Sequence, residues 1–148
     1  MQAAIDFKAL VESSGDAIMA SDASGAITLW NPAAERMFGY SEAEALGKSL
    51  DIIIPQRQQQ RHWDGYHKTV QTGVTKYGHD LLKVPAVHKD GHGLSIAFTV
   101  SLLHSPDGAV SAIVAVIRDE TSRFNDDRAL KKRLAELEGQ LATQGRPS

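Results

Sequence analysis

The feature that most constrains the fold is the stretch from residue 75 to residue 117. Apolar, β-branched runs alternate there with four-residue turns, His88-Lys89-Asp90-Gly91 and Ser105-Pro106-Asp107-Gly108. Glycine, proline and aspartate at such positions reverse the chain, and the runs between them suit half-buried strands. The pattern predicts strands over 75–87, 94–103 and 109–117, a three-stranded antiparallel meander. A sheet with one apolar face needs something packed on that face, and the preceding residues must supply it.

Those residues read as two strands and then several short helices. Ile5, Leu10 and Val11 have helical spacing, and that opening helix ends before Gly15. Residues 16–21 and 26–30 form a hairpin about Asp22-Ala23-Ser24-Gly25. Asn31 followed by Pro32 is a helix start, and Gly39 is its stop. Ser41 with Glu44 forms a capping box for a helix over 42–45. Leu50–Ile54 is a compact apolar run closed by Pro55. Residues 56–71 are polar and helix-favouring, carry the bulky His62, Trp63, Tyr66 and Val70, and end at Gly73. The class expected is α+β: a five-stranded antiparallel sheet with short helices on one face, over residues 1–121.

Residues 122–148 change character. Leu130, Leu134, Leu137 and Leu141 are spaced four, three, four, with Lys131, Lys132, Arg133, Glu136 and Glu138 around them. This is a short coiled-coil-like seam, so a homodimer through this C-terminal helix is expected. An amphipathic helix folded back on the domain is the alternative. Asp119-Glu120 and Asp126-Asp127 read as charges at the N-terminal end of that helix.

Composition narrows the function. The chain has no cysteine, which removes disulfides, thiolate nucleophiles, cysteine-ligated metal and a cysteine-bonded flavin photosensor, and suits a cytoplasmic setting. Sixteen basic and eighteen acidic residues form no basic stripe, so no nucleic-acid partner is expected. No run approaches the ~20 apolar residues of a membrane span. No Walker loop, HExxH or Gly-x-Ser-x-Gly motif occurs, so no enzyme is expected.

The run GAITLWNPAAERMFGYSEAEALGKSL, Gly25 to Leu50, resembles the N-terminal half of a PAS domain. Lys89-Asp90-Gly91 and Ile117–Thr121 resemble its C-terminal half and closing signature. The resemblance implies a signal-sensing domain, with any ligand lodged between the sheet and the helix preceding its last three strands. The segment Pro55–Gly73 is similar to the haem-carrying helix of FixL-type oxygen sensors, where a histidine after an arginine ligates iron. Here that pair is Arg61-His62, and the distance from His62 to Asp90 matches. The resemblance therefore implies haem b with His62 as axial metal ligand, Tyr66 and Val70 on the same helix face, and a diatomic gas (O2, CO or NO) or a redox state as the signal.

The same comparison places the remaining pocket residues. Lys68 and Lys76 fall where those sensors hold the propionates. Phe98 and Val100 fall on the apolar gas side, and Tyr77 on an aliphatic position. Leu82 replaces the arginine that reaches over oxygen, and a leucine has no hydrogen bond to offer. His79 is a candidate second axial ligand, while His67, His88, His92 and His104 are expected in solvent. The ring nitrogen of His62 not bound to iron is expected to meet a carbonyl or carboxylate. Trp63 leaves room for a non-covalent flavin (FAD) redox sensor, and a cofactor-free dimerisation or interaction module is the further alternative.

Overall fold

The structure, a computed structural model, describes residues 4–75 and 78–144. In chain order it forms α1 (Phe7–Ser13), β1 (Ala17–Ser21), β2 (Ile27–Trp30), α2 (Pro32–Phe38), α3 (Glu42–Ala45) and a 3-10 turn (Leu50–Ile53). Then follow α4 (Gln56–Thr72), β3 (Leu82–Val87), β4 (Gly93–His104), β5 (Val110–Asp119) and α5 (Thr121–Gln144). The five strands make one antiparallel sheet in the order β2-β1-β5-β4-β3. Strand β5 inserts between β1 and β4, so the first hairpin and the final meander share a single sheet.

Side chains alternate across a strand, so one parity faces the helices. Ala17, Met19 and Ser21 of β1 lie opposite Ile117, Ala115 and Ile113 of β5. Across β4 the same face carries Leu94, Ile96, Phe98, Val100 and Leu102. Helices α2 and α3 cover one end of it, where Trp30, Ala34, Phe38, Leu94 and Ile96 are buried. Asn31 fastens that end. Its Oδ1 accepts the N–H groups of Ile18 and Ala34, and its Nδ2 donates to the carbonyls of Val11 and Asp16, joining α1, β1 and α2. Such a buried amide with its donors and acceptor used is stable in a core.

Several expectations need correction. The strand placed at 75–87 begins only at Leu82. Thr75 and residues 78–81 are in no strand, and Gly78 sits at φ +57, which breaks a ladder. Strand β3 carries Pro85 opposite Ser95, tolerable because β3 is an edge. Strand β5 runs two residues further, to Asp119, and α5 starts at Thr121. Asp126 and Asp127 therefore stand beyond the first turn of α5, which holds no acid. Helix α5 does not fold back on the domain: it has no buried residue, and Leu130, Leu134, Leu137 and Leu141 are exposed.

Candidate functional site

Helix α4 positions the site. Pro55 precedes its first turn, and Gly73 closes it in a left-handed conformation. Its start shares an open cleft with Pro85, Ala86, Val87 and Leu94, and Gly73 at its end lies near the ring of His104. The helix thus spans the inner face of β4, above Phe98 and Val100. It lies closely along no strand and reaches the domain through its side chains.

Three of those side chains do most of this. Tyr66 is buried, the one residue of α4 that is. Its hydroxyl donates to the Asp22 carbonyl and lies 2.8 Å from the Ser21 hydroxyl, which is left to donate. Burial pushes the Tyr66 phenol above its ordinary pKa. Trp63 donates from Nε1 to Asp51 Oδ1 at 2.6 Å. Its ring rests on Gly25, where a Cβ would come within 2.2 Å of it, and Gly25 itself needs φ +87. Val70 packs against the same core.

His62 stands among these rings, with centroids 4.7 Å from Trp63 and 5.6 Å from Tyr66. Its Nδ1 is buried and has no hydrogen-bond partner among the described residues. Asp51, whose charge acts on the His62 ring, accepts from Trp63. Burial, opposed by Asp51 and assisted by His67, lowers the His62 pKa below the usual imidazole value, so the ring is neutral at pH 7. Neutral imidazole is the form that ligates a metal. A buried nitrogen without a partner costs about 1–3 kcal/mol, which a ligand at that atom would offset.

The opposite wall is apolar. Leu82 and Phe98 are cross-strand partners, and Val100 follows on the same face. All three are only half-buried, although they point into the helical layer. The core is thus tight under α2 and looser under α4. The donor and the apolar wall fit a flat, largely apolar, iron-bearing group.

Other expected residues lie elsewhere. Lys68 is exposed on α4, and Lys76 and Tyr77 lie outside the described residues. His79 sits in an exposed turn after them, away from the buried layer. His67, His92 and His104 are exposed as expected, but His88 is half-buried, because its ring packs over Gly39. Asp51, Ser21 and Asp22 were not singled out by sequence. Their partners are 12, 45 and 44 residues away, and no local pattern links them.

At its far end the sheet is coupled to α5. The Ser95 N–H donates to the Thr121 hydroxyl at 2.9 Å, and the Glu120 N–H donates to the Ser95 carbonyl at 2.8 Å. Asp119 accepts from the Thr121 N–H at 2.9 Å and so satisfies the first free N–H of the helix.

Comparison with known proteins agrees with this architecture. The PAS fold family profile matches residues 5–119. An uncharacterised protein of Azorhizobium caulinodans is 30% identical over 126 residues, 84% of this chain and 17% of that protein. Sensor protein FixL of Bradyrhizobium diazoefficiens is 29% identical over 133 residues, 90% of this chain and 25% of FixL. Oxygen sensor protein DosP of Escherichia coli is 26% identical over 115 residues, 78% of this chain and 14% of DosP. The chain thus spans a quarter or less of these relatives. Among solved structures, a PAS domain from Colwellia psychrerythraea matches with a TM-score of 0.69 and 22% identity, covering 78% of this chain and 95% of that one. An RNA-binding light-oxygen-voltage receptor matches with a TM-score of 0.68 and 20% identity, covering 87% of this chain and 36% of the receptor. At these identities the structural matches bear on the fold alone.

Proposed function

Because the chain belongs to the PAS family, we propose that this sensor domain holds haem b through His62, senses a diatomic gas or a redox state, and signals through α5. The observation that carries the reading is the buried, unpartnered Nδ1 of a neutral His62 on the helix over a half-open apolar wall. The similarity to FixL and to the oxygen sensor DosP supports it.

Bound haem would supply an iron centre able to take up O2, CO or NO or to change redox state. The chain's own residues do the rest. Trp63 and Tyr66, each fixed by hydrogen bonds, keep the His62 ring in place. Leu82, Phe98 and Val100 would offer bound haem an apolar wall with no hydrogen bond to give. Lys68, Lys76 and Tyr77 keep the roles the FixL resemblance implies: propionate pairing for the lysines and a pocket position for the tyrosine. A shift of β4 or β5 reaches α5 through Ser95 and Thr121, and the exposed leucine seam joins α5 to a second copy.

A cofactor-free interaction module is the second reading. Supporting it, the chain's own groups already seat α4: Trp63 on Asp51, and Tyr66 on Ser21 and Asp22. A flavin has less support. Trp63, the residue that suggested it, is committed to Asp51 and Gly25. The absorption spectrum after haemin addition separates the readings. A sharpened, shifted Soret band at one equivalent supports haem, a yellow protein supports flavin, and an unchanged haemin spectrum supports the cofactor-free module. No described helix is long and apolar enough to cross a membrane.

A further inference from the structure

The turn between β3 and β4 brings together side chains that the sensing site does not use. His88, Asp90 and His92 stand at alternate positions along the turn, and their side-chain donor atoms all lie within 4.8 Å of one another. His88 Nδ1 is 3.2 Å from Asp90 Oδ1, and His92 Nδ1 contacts the same oxygen. The two imidazoles stack at 4.5 Å and 20°. We propose that this turn binds one divalent transition-metal cation, of the zinc or nickel type, through His88 Nδ1, Asp90 Oδ1 and His92 Nδ1.

The donor set suits such an ion. Two imidazoles and one carboxylate are a borderline-soft set, which favours Zn2+, Ni2+ or Cu2+ over Mg2+ or Ca2+. Ligand bonds of ~2.0–2.2 Å at a tetrahedral centre put neighbouring donors roughly 3.3 Å apart. The His88–Asp90 separation already has that value within a tenth of an ångström or so. Three protein ligands leave a position for water, as in open metal sites.

The turn is held in shape by groups that the ion would not displace. The His88 N–H donates to the His92 carbonyl at 2.9 Å, and the Gly91 N–H donates to the His88 carbonyl at 2.8 Å. The Lys89 N–H donates to the Phe38 carbonyl at 2.9 Å, and its ammonium pairs with Glu44, so the turn is fastened to α2 and α3. The His88 ring lies against Gly39, where a Cβ would come within 2.4 Å of it. The backbone is thus set, and binding requires one of the stacked rings to turn so that both Nδ1 atoms face the ion. The ion must displace the Asp90 N–H from His88 Nδ1, at 3.1 Å, and shares Asp90 Oδ1 with the His92 N–H, at 3.0 Å. It also replaces the close His92–Asp90 contact with two metal bonds.

The test is calorimetric titration of the untagged, chelator-treated full chain with ZnCl2, backed by Co2+ absorption. The expected result is one ion per chain and a tetrahedral Co2+ spectrum. His92→Gln and Asp90→Asn should each weaken Zn2+ at least tenfold, while His79→Gln and His104→Gln leave it unchanged. His92 is exposed, so His92→Gln keeps the fold, and an unchanged circular dichroism spectrum verifies this. Absence of saturable binding to folded wild type overturns the proposal, as does wild-type affinity in folded His92→Gln and Asp90→Asn proteins. Neither outcome depends on whether His62 carries haem.

Discussion

The hydroxyl of Thr121, the first residue of α5, accepts the backbone N–H of Ser95 in β4 at 2.9 Å. This side chain continues the β4–β5 ladder one step past its last backbone pair, Ile96 with Asp119. The output helix is thereby attached to β4 as well as to β5.

Thr121→Val should therefore destabilise the domain by about 1–2 kcal/mol, since a half-buried N–H loses its acceptor. Thr121→Ser keeps the hydroxyl and should stay close to wild type. Urea denaturation of the three proteins gives the comparison. Equal midpoints for valine and threonine would remove Thr121 as the link between sheet and helix.

Tyr66→Phe removes a buried hydroxyl that serves Ser21 and Asp22 together. The expected loss is about 1–2 kcal/mol, with the ring packing kept. Thermal or urea unfolding measures it. A neutral substitution would mean that α4 is seated by apolar contacts alone.

Acid sensitivity should include Glu44. Its carboxyl is lowered from 4.5 to about 2 by the Lys89 ammonium and then by the Ser41 N–H of the capping box. The folded pKa lies below the unfolded one, so this contribution is full above about pH 4.5 and is lost as the pH falls towards 2. Glu44→Gln should flatten the dependence of stability on pH in that window and leave its shape above pH 5 unchanged. Both residues are substantially exposed, so the effect is expected to be small and reduced by salt. Denaturation midpoints from pH 2 to 6 for both proteins test it.

How much of this was legible in the sequence depends on the range of the interaction. Asn31-Pro32, the Ser41–Glu44 box and Gly39 act within one helical turn, and the helices they predict are present. The turns at 88–91 and 105–108 also stand where their residues put them. The strand expected from Thr75 failed because alternation was read through Gly78. At the site, the inward placement of Tyr66 and Val70 follows from helical period. The bonds of Trp63 to Asp51 and of Tyr66 to Ser21 depend on the chain returning on itself, which periodicity does not encode.

The leucine seam of α5 carries the dimer proposed above. Leu134 and Leu137 are exposed at 56% and 40% in the single chain, too much apolar surface for a helix standing alone in water. The double variant Leu134→Asp/Leu137→Asp should shift the mass by light scattering from dimer to monomer, with the domain still folded. A monomeric wild type would contradict the seam.

The most direct test of the central claim is a haemin titration of wild type and His62→Ala, followed at the Soret band. The account predicts a sharpened, shifted band saturating at one equivalent in wild type. In His62→Ala that band should be lost and then restored by added imidazole, which fills the space of the missing ring. Identical Soret spectra and equal uptake in the two proteins, with no effect of imidazole, would contradict His62 as the ligand.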